Sequence, residues 1–143
     1  MATYNKFHAF AEHVMEKVHD LANDDIRIML VNSPAPVATN SLKADLTEIA
    51  AGNGYTAGGV AVVRPTSAQT TGTYKLVGND MTITAAGGPI GPFRYAVMYN
   101  NTPSSPLKPL ISWWDYGAGG LTLNDGESIL LDADPTLGLL QMV

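Results

Sequence analysis

The amino-acid sequence predicts a mainly β protein, an antiparallel β-sandwich of jelly-roll-like type with an N-terminal amphipathic helix. From Gly52 onward, short apolar segments alternate with clusters of glycine, proline and asparagine, which is typical of strands joined by turns. A clear helical spacing of apolar side chains occurs at residues 4–22. Eight or nine short strands favour a sandwich over a fold in which strands and helices alternate.

Length and composition indicate one globular domain. The 143 residues fit a single unit, with the helix at 4–22 and the sandwich at 25–143. Hydrophobic residues make up 45% of the chain and charged residues 15%, which excludes a disordered protein and a coiled coil. The absence of cysteine excludes disulfide scaffolds, thiol nucleophiles and cysteine-ligated metals.

Charge and hydropathy bear on the partners and the compartment. The net charge is −5 and no stretch collects lysine or arginine, so we expect no nucleic-acid partner. The first residues form no apolar targeting segment, and no stretch is apolar enough to span a bilayer, so we expect neither Sec export nor a membrane partner. The absence of cysteine also fits a protein matured in a reducing cytoplasm.

The N-terminal helix is predicted from apolar side chains at helical spacing between charged ones. These are Tyr4, Phe7, Phe10, Ala11, Val14, Val18 and Leu21. The pattern then changes to period two, with Ile26, Ile28 and Leu30 on one side, which predicts a half-buried strand at 26–31. A short helix is predicted at 39–50.

The rest of the chain is predicted to form short strands. Their approximate ranges are 55–64, 73–79, 81–85, 93–100, 109–116, 121–123, 127–133 and 137–142. Asn124-Asp125-Gly126 predicts a hairpin with a type I′ turn between two of them, because Asp-Gly tolerates positive φ.

The three histidines, His8, His13 and His19, all lie in the predicted helix. Glu16 and His19 have the Glu-x-x-His spacing of carboxylate-bridged di-metal bundles, but such a site also requires carboxylates from further helices. We therefore expect a solvated helix face and no metal site.

Two glycine-rich segments match phosphate-binding motifs in part of their sequence but not in the structure predicted around them. Residues 52–57 match G-x-G-x-x-A, but a strand is predicted to follow where the motif requires a helix. Residues 87–92 lack the Lys-Ser/Thr ending of a phosphate loop. We expect two loops and no cofactor.

Catalysis has little support in the residue pattern. All histidines lie within the first nineteen residues and no Gly-x-Ser-x-Gly motif is present, which argues against a serine triad. Asp115 stands between Trp114 and Tyr116, where apolar surroundings would raise its pKa or require a partner such as Arg94. We interpret Asp115 as a structural carboxylate, and a hydrolase that uses it is the less favoured hypothesis.

Aromatic residues on the predicted strands suggest contacts with other proteins. The adjacent Trp113 and Trp114 must point to opposite faces of a strand, so one can enter the core while the other lies at a covered edge, against the helix or at an intermolecular contact. Core packing is the expected position of each ring taken singly. Residues 55–74 carry a single charge, at Arg64, and such weakly charged faces favour contact with neighbours. The candidate contact residues are Phe7, Phe10, Val14, Tyr95, Tyr99, Trp113, Trp114 and Tyr116.

Four segments together resemble a known class of protein. They are Asn5-Lys6-Phe7, residues 43–49 leading into Gly52-Asn53-Gly54-Tyr55-Thr56-Ala57-Gly58-Gly59, Gly91-Pro92-Phe93-Arg94-Tyr95-Ala96-Val97, and Trp113-Trp114-Asp115-Tyr116-Gly117. The chain resembles virion structural proteins of tailed bacteriophages, in particular capsid cement or decoration proteins. The resemblance implies many copies on the capsid exterior that clamp neighbouring major capsid protein subunits, with no catalysis and no cofactor. Self-association as a dimer or trimer is a further expectation, and a carbohydrate- or receptor-binding module of a head or tail fibre is the alternative.

Overall fold

The computed structural model describes residues 2–143, and the chain is mainly β with antiparallel strand pairs. It contains one α-helix, α1 (Ala9–Met15), and one 3₁₀ turn, Lys43–Asp45, among these residues. The strands are β1 (Thr3–Lys6), β2 (Ile26–Val31), β3 (Val60–Ala61), β4 (Thr66–Thr70), β5 (Thr73–Val77), β6 (Met81–Thr84), β7 (Ile90–Phe93), β8 (Tyr95–Asn100), β9 (Leu110–Asp115), β10 (Leu121–Leu123), β11 (Ser128–Leu131) and β12 (Leu140–Met142). No helix in this range is long and apolar enough to cross a membrane.

A five-stranded sheet with the order β1-β9-β8-β2-β3 organises the fold. Three smaller sheets accompany it, with the orders β10-β7, β11-β6 and β12-β5-β4. In the central sheet, β2 pairs with β8 from Ile26↔Asn100 to Val31↔Tyr95, and β8 pairs in turn with β9. The neighbours in space are therefore distant in sequence, so the sheet depends on long-range pairing.

Both faces of the central sheet are covered. Ile28 and Leu30 of β2 enter a large cluster that also takes in residues of the smaller sheets, such as Leu76 and Ile83. Met29 and Val31 enter a second cluster on the other face, together with Phe7, Leu46, Tyr95, Val97, Tyr99, Leu110 and Trp113. The prediction of a half-buried strand at 26–31 is therefore wrong, since Arg27 alone of its residues is not fully buried. Strands buried on both faces are apolar at nearly every position.

The predicted helix at 4–22 is divided between two kinds of structure. Residues Thr3–Lys6 form β1, which pairs antiparallel with β9 from Thr3↔Asp115 to Lys6↔Ser112. The helix is confined to Ala9–Met15, and Lys17 then adopts a φ of 62°, which ends the helical path. An isolated helix is marginally stable, so pairing with a sheet edge competes well for its first residues.

The predicted helix at 39–50 is also wrong, because only the 3₁₀ turn Lys43–Asp45 forms there. Asp45 Oδ2 accepts hydrogen bonds from the backbone amides of Ser41, at 2.8 Å, and Leu42, at 3.0 Å. A side chain bonded to preceding amides stabilises a short turn and offers no continuation into a longer helix. The strand predicted at 55–64 is likewise reduced to β3, after a loop that contains the glycines of residues 52–59.

The hairpin predicted around Asn124-Asp125-Gly126 does not form. A turn is present, closed by a 2.9 Å hydrogen bond from Glu127 N to Asn124 O, but β10 pairs with β7 and β11 pairs with β6. Gly126 has a φ of 85° whereas Asp125 does not have positive φ, so the turn is not type I′. The Asp125 carboxylate instead accepts the amide of Gly87 at 2.8 Å and ties two loops together.

Candidate functional site

The structure places most of the candidate contact residues in the interior. Five of the eight are buried: Phe7, Phe10, Tyr95, Tyr99 and Trp113. These five side chains are at most 8% exposed, so they offer little apolar contact area to a partner, although the Tyr99 side chain lines a cleft. Val14, Trp114 and Tyr116 are partly buried against the large cluster and also reach the surface.

The two tryptophans point to opposite faces of β9, as predicted. The Trp113 ring packs on the ring of Phe7, with centroids 4.4 Å apart, in the smaller cluster. Trp114 packs against the large cluster and meets the ring of Tyr4 edge-on, with centroids 5.6 Å apart. Trp113 is thus a core residue, and Trp114 is the tryptophan available to another molecule.

Trp114 lies between two clefts. One, of about 390 Å³, is lined by Trp114, Tyr116 and Leu130 together with aliphatic side chains of the large cluster. The other, of about 340 Å³, is lined by Tyr4, Trp114 and Leu137. We call these five residues, Tyr4, Trp114, Tyr116, Leu130 and Leu137, the Trp114 surface.

The Trp114 surface is apolar although it is accessible. Tyr4 is 43% exposed, Leu130 is 55% exposed and Leu137 is 57% exposed. Scattered exposed apolar side chains are ordinary, but a group of them around partly buried aromatic rings is typical of a contact surface. Val14 is not part of it and lines a separate cleft beside His19 and Tyr74.

Three residues of this surface, Tyr4, Leu130 and Leu137, were not among the sequence candidates. For Leu130 a signal was present, because Ile129, Leu130 and Leu131 are consecutive apolar residues on one strand and cannot all face the same side. Tyr4 was assigned to the apolar side of a helix, and its exposure follows from its place on β1.

Asp115 has the partner that the sequence suggested. Arg94 binds it through two hydrogen bonds, Nε to Oδ1 at 2.7 Å and Nη2 to Oδ2 at 2.8 Å. The Arg94 hydrogen bond and the amide of Gly117 hold the pKa of the Asp115 carboxyl below its usual value. The carboxylate is therefore ionised at neutral pH and fastened at the end of β9, as a structural group would be.

The expectation of a solvated histidine face is wrong for His19. His19 lies beyond the end of α1 and is 9% exposed, with its ring packed near Phe10 and His13. Nδ2 of Asn100 lies 3.1 Å from Nδ1 of the imidazole, within hydrogen-bond distance. No group of three or more His, Asp or Glu residues within 2–143 is arranged to hold a metal ion.

Acid is expected to destabilise the protein through His19. Burial, followed by the charge of His13, lowers the pKa of the His19 imidazole from 6.5 to about 4, against the opposing effect of Asp24. Between these two values the unfolded chain binds a proton that the folded chain does not, so stability falls as the pH falls from 6.5 to 4. We expect the free energy of unfolding to fall by up to about 3 kcal/mol over this range, and urea denaturation at several pH values measures the loss.

The controls for this pH effect are two histidine variants. His19→Gln is expected to flatten the dependence between pH 6.5 and 4, whereas His8→Gln, at an exposed position, should preserve it. If the stability of His19→Gln still fell as steeply with falling pH as that of the unmodified protein, another group would be responsible.

Comparison of the chain with protein-family models, with curated proteins and with solved structures finds no match.

Proposed function

We propose that the protein is a structural component of a tailed-phage virion that binds the outside of the capsid and stabilises contacts between major capsid protein subunits. The proposal starts from the resemblance of four sequence segments to cement and decoration proteins, and it includes a jelly-roll-like packing of the four sheets. The role requires no catalysis and no cofactor. The observation that carries it is the Trp114 surface, which places exposed aromatic and aliphatic side chains on one side of the chain.

The Trp114 surface has the composition of a protein contact. Tryptophan and tyrosine are enriched among the residues that contribute most to binding free energy, particularly where they sit in a pocket. Trp114 is already held by Tyr4 and the large cluster, so binding would cost little side-chain entropy. Each contact would contribute modestly, and many copies on one shell would add up.

A sheet edge adjoins this surface. Strand β1 is the outermost strand of the five-stranded sheet, and Tyr4 stands opposite Trp114 in the register of β1 and β9. An edge strand offers backbone groups to an added strand from another chain. A capsid subunit or a second copy of this protein would thus contact both the edge and the Trp114 surface. Sedimentation as a monomer at all concentrations would contradict a pre-formed dimer or trimer.

The test is heat resistance of particles that lack the protein and are complemented with variants. We expect Trp114→Ala and Leu130→Ser to leave particles as heat-sensitive as those without the protein, because both changes remove apolar contact area. The matched control is Leu107→Ala, which changes an exposed leucine, 56% accessible, away from the Trp114 surface.

The urea midpoint of each purified variant must accompany this experiment, so that loss of binding is separated from loss of folding. Leu130→Ser is informative here because its side chain is more than half exposed and its removal should leave stability nearly unchanged. Particles that lack the protein yet resist heat as well as complete ones would refute the proposal.

A carbohydrate-binding module is the second candidate function. The observation that favours it is the 390 Å³ cleft, which is lined by Trp114 and Tyr116 and also by Asp132 and Asp134. Aromatic rings stack on sugar rings and carboxylates accept hydrogen bonds from hydroxyls. Saturable binding on a glycan array that Trp114→Ala abolishes would favour this module over the capsid role.

A further inference from the structure

A polar cleft of about 350 Å³ lies beside Tyr99, which belongs to the opposite face of the central sheet from Trp114. Four parts of the chain line it. Strand β2 contributes Arg27, the segment around the 3₁₀ turn contributes Lys43 and Glu48, and the loop before β3 contributes Ala57 and Gly58. The end of β8 contributes Tyr99, and the loop that follows contributes Asn101 and Lys108. The cleft lies outside the Trp114 surface and has no part in the proposed capsid contact.

This cleft is cationic although the protein is acidic. It contains Arg27, Lys43 and Lys108, three of the eight lysines and arginines in the chain. Two carboxylates accompany them: Glu48, which lines the cleft and pairs with Lys43 at 2.8 Å, and Asp25, which lies outside the lining and pairs with Arg27 at 2.8 Å. The local balance of three positive and two negative charges is +1, in a chain whose net charge is −5.

Glu48 holds one wall of the cleft rigid. Its Oε1 accepts hydrogen bonds from the Tyr55 hydroxyl, at 2.7 Å, and from the Gly58 amide, at 2.6 Å, while its Oε2 accepts the Lys43 ammonium. The side chain of Glu48 is only 13% exposed. A carboxylate with this many donors is a fixed structural group, and it is not free to bind a ligand cation.

Two cationic side chains of the lining keep donors without a hydrogen-bond partner within residues 2–143. Arg27 uses Nε for Asp25, while its two Nη groups and Nζ of Lys108 make no hydrogen bond in this range. A Cβ placed on Gly58 would lie 3.8 Å from Nη1 of Arg27 and 3.3 Å from the Tyr99 hydroxyl. The absence of a Cβ at Gly58 therefore leaves space beside Nη1 of Arg27 and the Tyr99 hydroxyl.

We propose that this cleft binds a single carboxylate, presented by an acidic side chain of a partner protein, at Arg27 and Lys108, which both line it. The residual charge of +1 matches a monoanion, and the planar guanidinium of arginine fits the two oxygens of a carboxylate. A phosphate dianion would leave an excess negative charge beside Glu48 and Asp25. A bound carboxylate neutralises the single positive charge that Asp25 and Glu48 leave unbalanced.

The test is a nitrogen-15 NMR titration of the full chain with acetyl-Gly-Glu-Gly-amide at constant ionic strength. We expect saturable shifts of the Gly58 amide, the Asn101 side-chain amide and Nε–H of Arg27. Acetyl-Gly-Gln-Gly-amide, which lacks only the carboxylate, should leave these signals unchanged. Equal shifts with the two peptides, or no saturable shift with the glutamate peptide, would overturn the proposal.

Two lysine variants and inorganic phosphate complete the design. Lys108→Gln is expected to raise the Kd of the glutamate peptide about three- to tenfold. Lys6→Gln makes the same charge change on the exposed β1 and should leave the Kd unaltered. Tighter binding of phosphate than of the glutamate peptide at the same signals would overturn the carboxylate assignment. Because the titration uses isolated protein, its failure is distinct from a failure of the particle experiment on the Trp114 surface.

Discussion

Gly59→Ala is expected to destabilise the protein by at least about 4 kcal/mol, enough to unfold a domain of ordinary stability. A Cβ at this position would collide with the backbone carbonyl of Ile28 and would lie 2.7 Å from Cα of Met29. These atoms belong to β2, the strand that is buried on both faces, so they cannot move without disturbing both clusters. The φ of Gly59, 75°, adds the strain of a left-handed backbone.

The control for this prediction is Gly72→Ala. Gly72 has a similar φ, 85°, in the turn between β4 and β5, but no atom lies within 4 Å of the added Cβ. Only the backbone strain remains, which amounts to about 1 kcal/mol. Urea denaturation of the two variants measures the difference, and equal losses would show that close packing against β2 contributes nothing.

Phe7→Ala is expected to cost about 3–5 kcal/mol, since it removes a fully buried ring and leaves a cavity. The ring contacts that of Trp113, with centroids 4.4 Å apart, and the substitution removes this contact. The backbone hydrogen bond from the Phe7 amide to the Ile111 carbonyl, at 3.2 Å, is kept by alanine. The loss of the ring should lower the urea midpoint. Phe7→Leu, which preserves most of the volume, should cost less than about 1.5 kcal/mol.

The exposed Leu107 provides the reference, because Leu107→Ala should change stability by no more than about 0.5 kcal/mol. The comparison also decides what Phe7 does. If Phe7→Ala abolished particle binding while the urea midpoint stayed constant, Phe7 would be a contact residue and its buried position would be incorrect.

Local features of the sequence were sufficient for several predictions. Glycine, proline and asparagine clusters mark turns through their backbone preferences, so the mainly β character was predictable. The opposite orientation of Trp113 and Trp114 follows from the two-residue period of a strand. For Asp115 beside aromatic rings the sequence predicts either a raised pKa or a partner such as Arg94, and the structure has the Arg94 pair. Each of these inferences depends on a residue and its immediate neighbours.

Other predictions failed where distant segments compete. Residues 4–6 have helical spacing, but β9 offers them a ladder of backbone hydrogen bonds, and that pairing is invisible in the local pattern. Asp125-Gly126 has the composition of a hairpin turn, yet its flanking strands find partners in β7 and β6. The contact candidates are apolar residues of the amphipathic N-terminal segment and aromatic residues of weakly charged strands, and such residues are equally suited to a core.

The sequence by itself determined the class of structure: short strands, tight turns, an acidic chain without cysteine, and one pair of tryptophans that must separate across a strand. The tertiary structure decided which strands pair, that the central sheet is covered on both faces, and that Trp114, not Trp113, reaches the surface. It also brought Arg27, Lys43 and Lys108 to one cleft. The physical reason is that turn preference and side-chain alternation are properties of neighbouring residues, whereas sheet order and burial depend on free-energy differences between segments far apart in the chain.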